Sequence, residues 1–113
     1  MATDVHASLT NCGIPAFKVR LVIDLIRGKN AVDAVNMLKF TTKGAAQPVS
    51  KLLKSAIANA EENFGLSRDN LYIYKVTADE APTRKWRRFG ARGRFKPLLR
   101  RNSHVSIVLR EKE

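Results

Sequence analysis

Apolar and polar residues alternate cleanly from Asp4 to Thr10. Val5, Ala7 and Leu9 fall on one side, and His6, Ser8 and Thr10 on the other. A period of two predicts a half-buried strand. Asn11, Cys12 and Gly13 break the pattern, and Pro15 suits the first turn of a helix. The period then lengthens: Phe17, Leu21 and Leu25, with Val22 and Ile26, form an apolar stripe at helical spacing. Lys18, Arg20 and Arg27 lie mostly off that stripe, and Gly28 is a natural stop. A short second helix follows. Asn30 can cap it, Asp33 stands near the positive end of its dipole, and Ala34, Val35 and Leu38 supply its buried side. Thr41 to Gly44 reads as a loop. The third helix is the longest, with Val49, Leu52, Leu53, Ala56, Ile57, Ala60 and Phe64 on one buried face. Pro48 is tolerated there only near the first turn, and Gly65 ends the helix.

Leu71 to Ala78 is rich in β-branched and aromatic residues and reads as a strand. Its alternation is imperfect, because Leu71 and Ile73 face opposite to Tyr72, Tyr74 and Val76. Burial of both faces at the strand's start would account for that. Ser103 to Arg110 is a cleaner strand, with Val105, Ile107 and Leu109 on one side. The two strands are expected to pair antiparallel. A structureless connection of about 20 residues is unusual inside a compact domain. The economical solution is a hairpin that continues both strands and reaches roughly 30 Å beyond the body. The expected architecture is α+β: three helices packed on a small antiparallel three-stranded sheet, with one long protruding basic β-hairpin. One domain is expected over residues 1–113, its body at 1–80 and 102–113 and its hairpin at about 81–101.

Charge then singles out the hairpin. Nine of the eighteen residues from Arg84 to Arg101 are basic and none is acidic. They are Arg84, Lys85, Arg87, Arg88, Arg92, Arg94, Lys96, Arg100 and Arg101. The chain has 21 Lys plus Arg against 10 Asp plus Glu, a net charge of +11; without this segment the balance is 12 against 10. Trp86, Phe89 and Phe95 are interleaved with the cations. Cations neutralise phosphates and release counterions, while flat rings stack on unpaired bases, so the composition points to nucleic acid. An ordinary solvated face mixes both signs of charge. Burying Trp86 among four cations would be costly, so stacking on a base or an arginine suits it better. Such a hairpin has no core and repels itself, and is expected to order fully only on a polyanion. Lys18, Arg20 and Arg27 on the first helix, with Lys51 and Lys54 on the third, would extend the basic surface onto the body.

Other chemistry finds little support. Cys12 is the only cysteine, so an intrachain disulfide or a Cys-based zinc site cannot be completed. His6 and His104 are lone histidines on strands. Glu61 with Glu62, and Asp79 with Glu80, are sequence neighbours that do not face each other. No nucleophile motif or phosphate-cradling glycine loop occurs. No enzyme activity, cofactor, metal or homo-oligomer is expected. The first ten residues contain no apolar stretch of a secretory signal, and no apolar run approaches bilayer length, so no membrane is expected either.

Four segments, in order, resemble the bacterial large-subunit ribosomal protein family numbered twenty-two. "KVRLVIDLIRGK" from Lys18 to Lys29 resembles its first-helix signature, and "KLLKSAIANAEEN" from Lys51 to Asn63 its long helix. "ARGR" from Ala91 to Arg94 and "RRNSHVSIVL" from Arg100 to Leu109 resemble its hairpin tip and last strand. The resemblance covers roughly residues 5 to 110. It implies a structural constituent of the large subunit that binds large-subunit ribosomal RNA, aids subunit assembly, and lines the nascent-peptide exit tunnel with its hairpin. RNA contacts are then expected from Lys18, Arg20, Arg27, Lys51 and the nine hairpin cations. The tunnel-lining tip would comprise Trp86, Phe89, Gly90, Ala91, Arg92 and Gly93. Expected partners are ribosomal RNA, neighbouring ribosomal proteins and the nascent peptide, in a cytoplasmic ribosome. Gly13, Pro15-Ala16-Phe17, Ala81-Pro82, Trp86 and Gly90 depart from the family's usual residues. The rival readings are an architectural DNA-binding protein with a basic β-arm and an RNA-processing enzyme.

Overall fold

A computed structural model describes residues 4–10, 12–89 and 95–112. Strand β1 (Asp4–Leu9) is followed by three helices, α1 (Ala16–Ile26), α2 (Ala31–Lys39) and α3 (Ala46–Phe64). A single 3-10 turn at Arg68–Asn70 leads into β2 (Leu71–Phe89), and β3 (Phe95–Glu111) completes the chain. The sheet order is β1-β3-β2 and both pairings are antiparallel. This is the expected α+β architecture. The last strand lies at the centre, between the first strand and the one that precedes it.

One face of the sheet meets the helices. Val5 of β1, Ile73 and Val76 of β2, and Val105, Ile107 and Leu109 of β3 are buried against α1, α2 and α3. Val19, Val22, Ile23 and Ile26 bring α1 into this core, and Val49, Leu53, Ala56 and Ala60 bring in α3. The small residues at 56 and 60 let α3 approach closely. Gly65, at φ 66°, occupies the left-handed conformation that ends α3 and favours glycine.

The structure corrects the sequence reading in three places. The stripe Phe17, Leu21 and Leu25 is not the buried face of α1: these residues are 56%, 54% and 43% exposed. The buried row is Ala16, Val19, Val22, Ile23 and Ile26. Two apolar rows run along this helix at the same period, and only one can face the sheet. Phe64 is also not buried; it sits on the last turn of α3, 48% exposed, where the chain turns away at Gly65. Finally, the irregular alternation of β2 does not reflect burial on both faces. The register shifts between Ile73 and Lys75, so Tyr74 is an inserted bulge residue. Leu71, Ile73, Val76 and Ala78 are then all buried, while Tyr74 stays exposed.

Beyond the bulge, the sheet's other face carries a polar and aromatic cluster. Arg110 donates two hydrogen bonds to the Asp4 carboxylate, at 2.7 and 3.1 Å, and its guanidinium stacks 3.4 Å from the Tyr74 ring centroid. Tyr72 meets Tyr74 edge to face at 6.4 Å. The hydrogen bond from Arg110 holds the Asp4 carboxyl below its ordinary value; partial desolvation opposes this, and the charges of Arg110 and His6 reinforce it. A carboxyl whose folded-state pKa is depressed contributes stability above its unfolded pKa and loses it as pH falls through the folded value. The melting-temperature advantage of the native chain over Asp4→Asn is therefore expected to shrink on acidification from about pH 6 to about pH 3, across the ordinary aspartate range. A gap that stays constant over that interval would contradict the pairing.

Candidate nucleic-acid interface

β1 pairs only with residues from Val105 to Arg110, whereas β2 and β3 go on pairing well past its end. Beyond the body the sheet is therefore a two-stranded ribbon. The ladder runs from Ala81 opposite Asn102 to Phe89 opposite Phe95. Extension beyond a compact body shows in the dimensions: the Cα radius of gyration is 17.1 Å and the longest extent 64 Å. A compact chain of this length would have a radius near 13 Å. Nineteen strand residues at about 3.3 Å each account for that long axis.

The base of the ribbon is built by hydrogen bonding. Asn102 and Ser103 are polar yet 7% and 0% exposed. The Asn102 Oδ1 accepts from the backbone N–H groups of Gly13 and Ser103. Ser103 Oγ donates to the Ile14 carbonyl at 2.7 Å, and the Cys12 N–H donates to the Ser103 carbonyl at 2.9 Å. The turn after β1 is thus stitched to the point where β3 leaves the arm. On the other strand, Arg20 Nε donates to the Ala78 carbonyl at 3.1 Å and Arg27 Nη1 to the Val76 carbonyl at 2.7 Å. Buried polar groups must be paired, and here the pairing fixes where the ribbon leaves the body. A second register shift, between Ala81 and Arg84, falls at Pro82, which has no N–H for the ladder.

Beyond this joint the pairing places Arg84 opposite Arg100, and Arg88 opposite Lys96. Like charges at opposed positions weaken a strand pair. The segment from Arg84 to Arg101 contains no acidic residue to offset them. Trp86 stands opposite Leu98 and Arg87 opposite Pro97. Pro97 is compatible with a ribbon in which each strand is also an edge. Of the expected tip residues, Trp86 and Phe89 lie on β2, whereas Gly90, Ala91, Arg92 and Gly93 lie outside the described residues, as does the expected contact Arg94.

The structure divides the body's expected contacts. Lys18 is exposed beside the Phe17 ring, at 5.9 Å. Arg20 and Arg27 spend part of their guanidinium groups on β2, and Arg27 also pairs with Asp24 at 3.3 Å. Lys51 lies elsewhere, on α3, in a groove with Lys39, Lys43 and Lys54. The sequence reading missed Asn102 and Ser103. Their signal was available: two polar residues where the basic run gives way to an alternating strand. It also missed Lys39 and Lys43, which only the packing of α2 on α3 brings beside Lys51. Among the described residues, no group of three or more His, Cys, Asp or Glu could hold a metal ion, and no helix is long and apolar enough to cross a membrane.

Known proteins resemble this chain in sequence over almost its whole length. The family model described as ribosomal protein L22p/L17e matches residues 7–110, spanning body and ribbon alike. The chain is 48% identical over 111 residues to the large ribosomal subunit protein uL22 of Latilactobacillus sakei subsp. sakei, covering 98% of this chain and 95% of that protein. It is 47% identical to the uL22 of Pediococcus pentosaceus, with 98% and 94% covered. With the uL22 of Thermoanaerobacter sp. it shares 54% identity over 96 residues, covering 85% and 86%.

Proposed function

Since this chain belongs to the ribosomal protein L22p/L17e family of the large ribosomal subunit, we propose that it binds large-subunit ribosomal RNA, aids subunit assembly and lines the exit tunnel with its ribbon. It is a ribosomal constituent and not an enzyme. The observation that carries the finer reading is the placement of charge. Nine cations with no anion fall on the segment from Arg84 to Arg101, on and around a two-stranded extension that leaves the body at a hydrogen-bonded joint. The body, at 1–80 and 102–113, sets position, and the arm, at about 81–101, threads between RNA segments. Arg84, Lys85, Arg87, Arg88, Arg92, Arg94, Lys96, Arg100 and Arg101 neutralise phosphates that would otherwise repel as RNA domains pack together. Arginine predominates among them, which favours bidentate phosphate contacts and stacking over diffuse attraction.

Lys18 and Lys51 extend the contact on the body. Arg20 and Arg27 contribute there too, and also hold the base of the arm through the Ala78 and Val76 carbonyls. Trp86, Phe89 and the tip from Gly90 to Gly93 face the nascent peptide, and neighbouring ribosomal proteins cover part of the body. The working compartment is the cytoplasm.

Binding to large-subunit ribosomal RNA, compared with duplex DNA of equal length across a salt series, tests this reading. RNA-selective binding that survives moderate salt is the expected result. Equal affinity for both, collapsing steeply with salt, would leave only non-specific charge and favour an architectural DNA-binding arm.

A further inference from the structure

β2 is an edge strand of the sheet, yet main-chain groups along its outer edge find partners on α1 and the loop after it. Asn30 bridges to Tyr72, and the Ile73 N–H donates to the Lys29 carbonyl at 2.9 Å. Arg27 Nη1 donates to the Val76 carbonyl at 2.7 Å, and Arg20 Nε to the Ala78 carbonyl at 3.1 Å. The order is reversed between the two segments, so α1 and its loop follow β2 as an antiparallel neighbour would. Arg20 and Arg27 are seven positions apart, close to two helical turns, so their stems leave α1 in nearly the same direction. The Tyr74 bulge makes this arrangement possible. In a regular strand, main-chain groups an odd number of residues apart point to opposite edges. Ile73 and Val76 are three apart, and the residue inserted between Ile73 and Lys75 brings both onto the edge that meets α1. The last of these bonds falls at Ala78, just short of the second register shift, where the arm begins. On β3, the turn after β1 holds Asn102 and Ser103, which pair opposite Ala81 and Glu80.

We propose that Arg20 and Arg27 are positioning residues: by pinning the last body residues of β2 they preset the direction in which the arm leaves, and this, more than neutralising phosphate, is what they contribute to RNA binding. The inference rests on the RNA-binding reading above and adds a different kind of role to it. A two-stranded ribbon is marginal on its own, and a bulge bends and twists the strand that carries it. The register shift between Ala81 and Arg84 is therefore where the arm's direction would drift. Length magnifies that drift. From Ala81 to Phe89 the ribbon runs about 26 Å, so a tilt of about 10° at its base moves the far end by about 4–5 Å. Such a displacement breaks a hydrogen-bonded ion pair made there. A guanidinium suits the task. It stays charged, and its fork of donors holds a strand carbonyl with one nitrogen and a carboxylate with another, as Arg27 does with Val76 and Asp24. An arm whose direction is fixed before binding spares RNA the cost of ordering it.

The test uses the full chain with Arg20→Gln and Arg27→Gln together and pairs two measurements. Spin labels at Ser8→Cys in β1 and Leu98→Cys in the arm, in a Cys12→Ser background, give the distribution of body-to-arm distances by pulsed electron–electron resonance. Affinity for large-subunit ribosomal RNA is measured across a salt series. The expected result is a broader distance distribution in the free protein. Affinity should fall about tenfold, the loss that follows if the released arm spends about one-tenth of its time in the direction RNA requires. The slope of log affinity against log salt should stay unchanged, whereas two lost phosphate contacts would flatten it by about 1.5. Lys18→Gln, at an exposed residue beside the Phe17 ring, should do the opposite, flattening the slope and leaving the distribution narrow. If the double variant loses its cooperative melt, Arg20→Gln alone, which spares the Val76 bond, is read in the same way. An unchanged distance distribution, or a slope flattened by about 1.5, overturns the proposal and leaves the RNA reading standing. A native chain with no preference for RNA over duplex DNA would overturn the RNA reading and, with it, the stated role in RNA binding.

Discussion

Changing Arg84, Arg88 and Arg100 to glutamine is expected to lower affinity for large-subunit ribosomal RNA by about a hundredfold near 0.1 M salt. Each cation that meets a phosphate releases counterions worth a slope of about 0.7 to 0.9 in log affinity against log salt, so three lost contacts flatten the slope by about 2 to 3. The loss should be similar for RNA segments of different sequence, because phosphate contacts position a protein without reading bases. Stability should move the other way, if at all. Arg84 and Arg100 occupy opposed positions in the ladder, as do Arg88 and Lys96, and removing like charges from such pairs favours pairing. A filter-binding series with a melt on the same preparations checks both halves. Retained affinity at every salt concentration would take the ribbon out of the interface. A fall in affinity accompanied by loss of the melt would trace the effect to the body instead.

The second large effect is on the fold. Ile23→Ala is expected to cost about 3 kcal/mol, the middle of the range for emptying a fully buried aliphatic site. In a domain of this size that lowers the melting temperature by roughly 10 °C. Leu21→Ala, two residues away on the same helix, should change stability by no more than about 0.5 kcal/mol. Its side chain is half in solvent already, and alanine has the better helix propensity. The contrast tests the correction to α1 directly. Equal losses at both positions would mean that the Phe17, Leu21 and Leu25 row faces the core after all. Denaturant titration of the two variants measures it, with unchanged m-values confirming that the comparison is of stability alone.

Much of this molecule can be read from its residues, for reasons that also explain the misreadings. Both body strands with strict alternation, around Val5 and around Ile107, face the way the pattern says, since only one side of the sheet is covered. β2 misled because a single bulge residue, Tyr74, inverts the parity of everything before it, and parity is all that a strand pattern contains. α1 misled for a related reason. A helix with apolar residues on two adjacent rows has two candidate faces, and the choice is made by what packs on it. The arm announced itself because nine unopposed cations leave no core alternative. The joint at its base was harder to see, because Asn102 and Ser103 are polar residues buried against partners near residue 13, about ninety positions earlier. The lysine groove was invisible for the same reason: Lys39 and Lys51 are ordinary surface residues until two helices are laid side by side.

The central place of β3 in the sheet has a consequence for the order of events during synthesis. β1 is made first, yet each of its partners lies between Val105 and Arg110, so it waits for almost the entire polypeptide before it can pair. Closing so long a loop is slow, and the core face of the sheet cannot be completed until those last residues emerge. The highly charged arm is therefore translated before the body that will carry it has closed. The newborn chain offers its strongest attraction for a polyanion while Val5, Ile73 and their neighbours still lack their cover. On the proposed function, early capture of the arm by RNA would hold the chain in solution and away from its own kind during that interval, giving the RNA a second role as an escort.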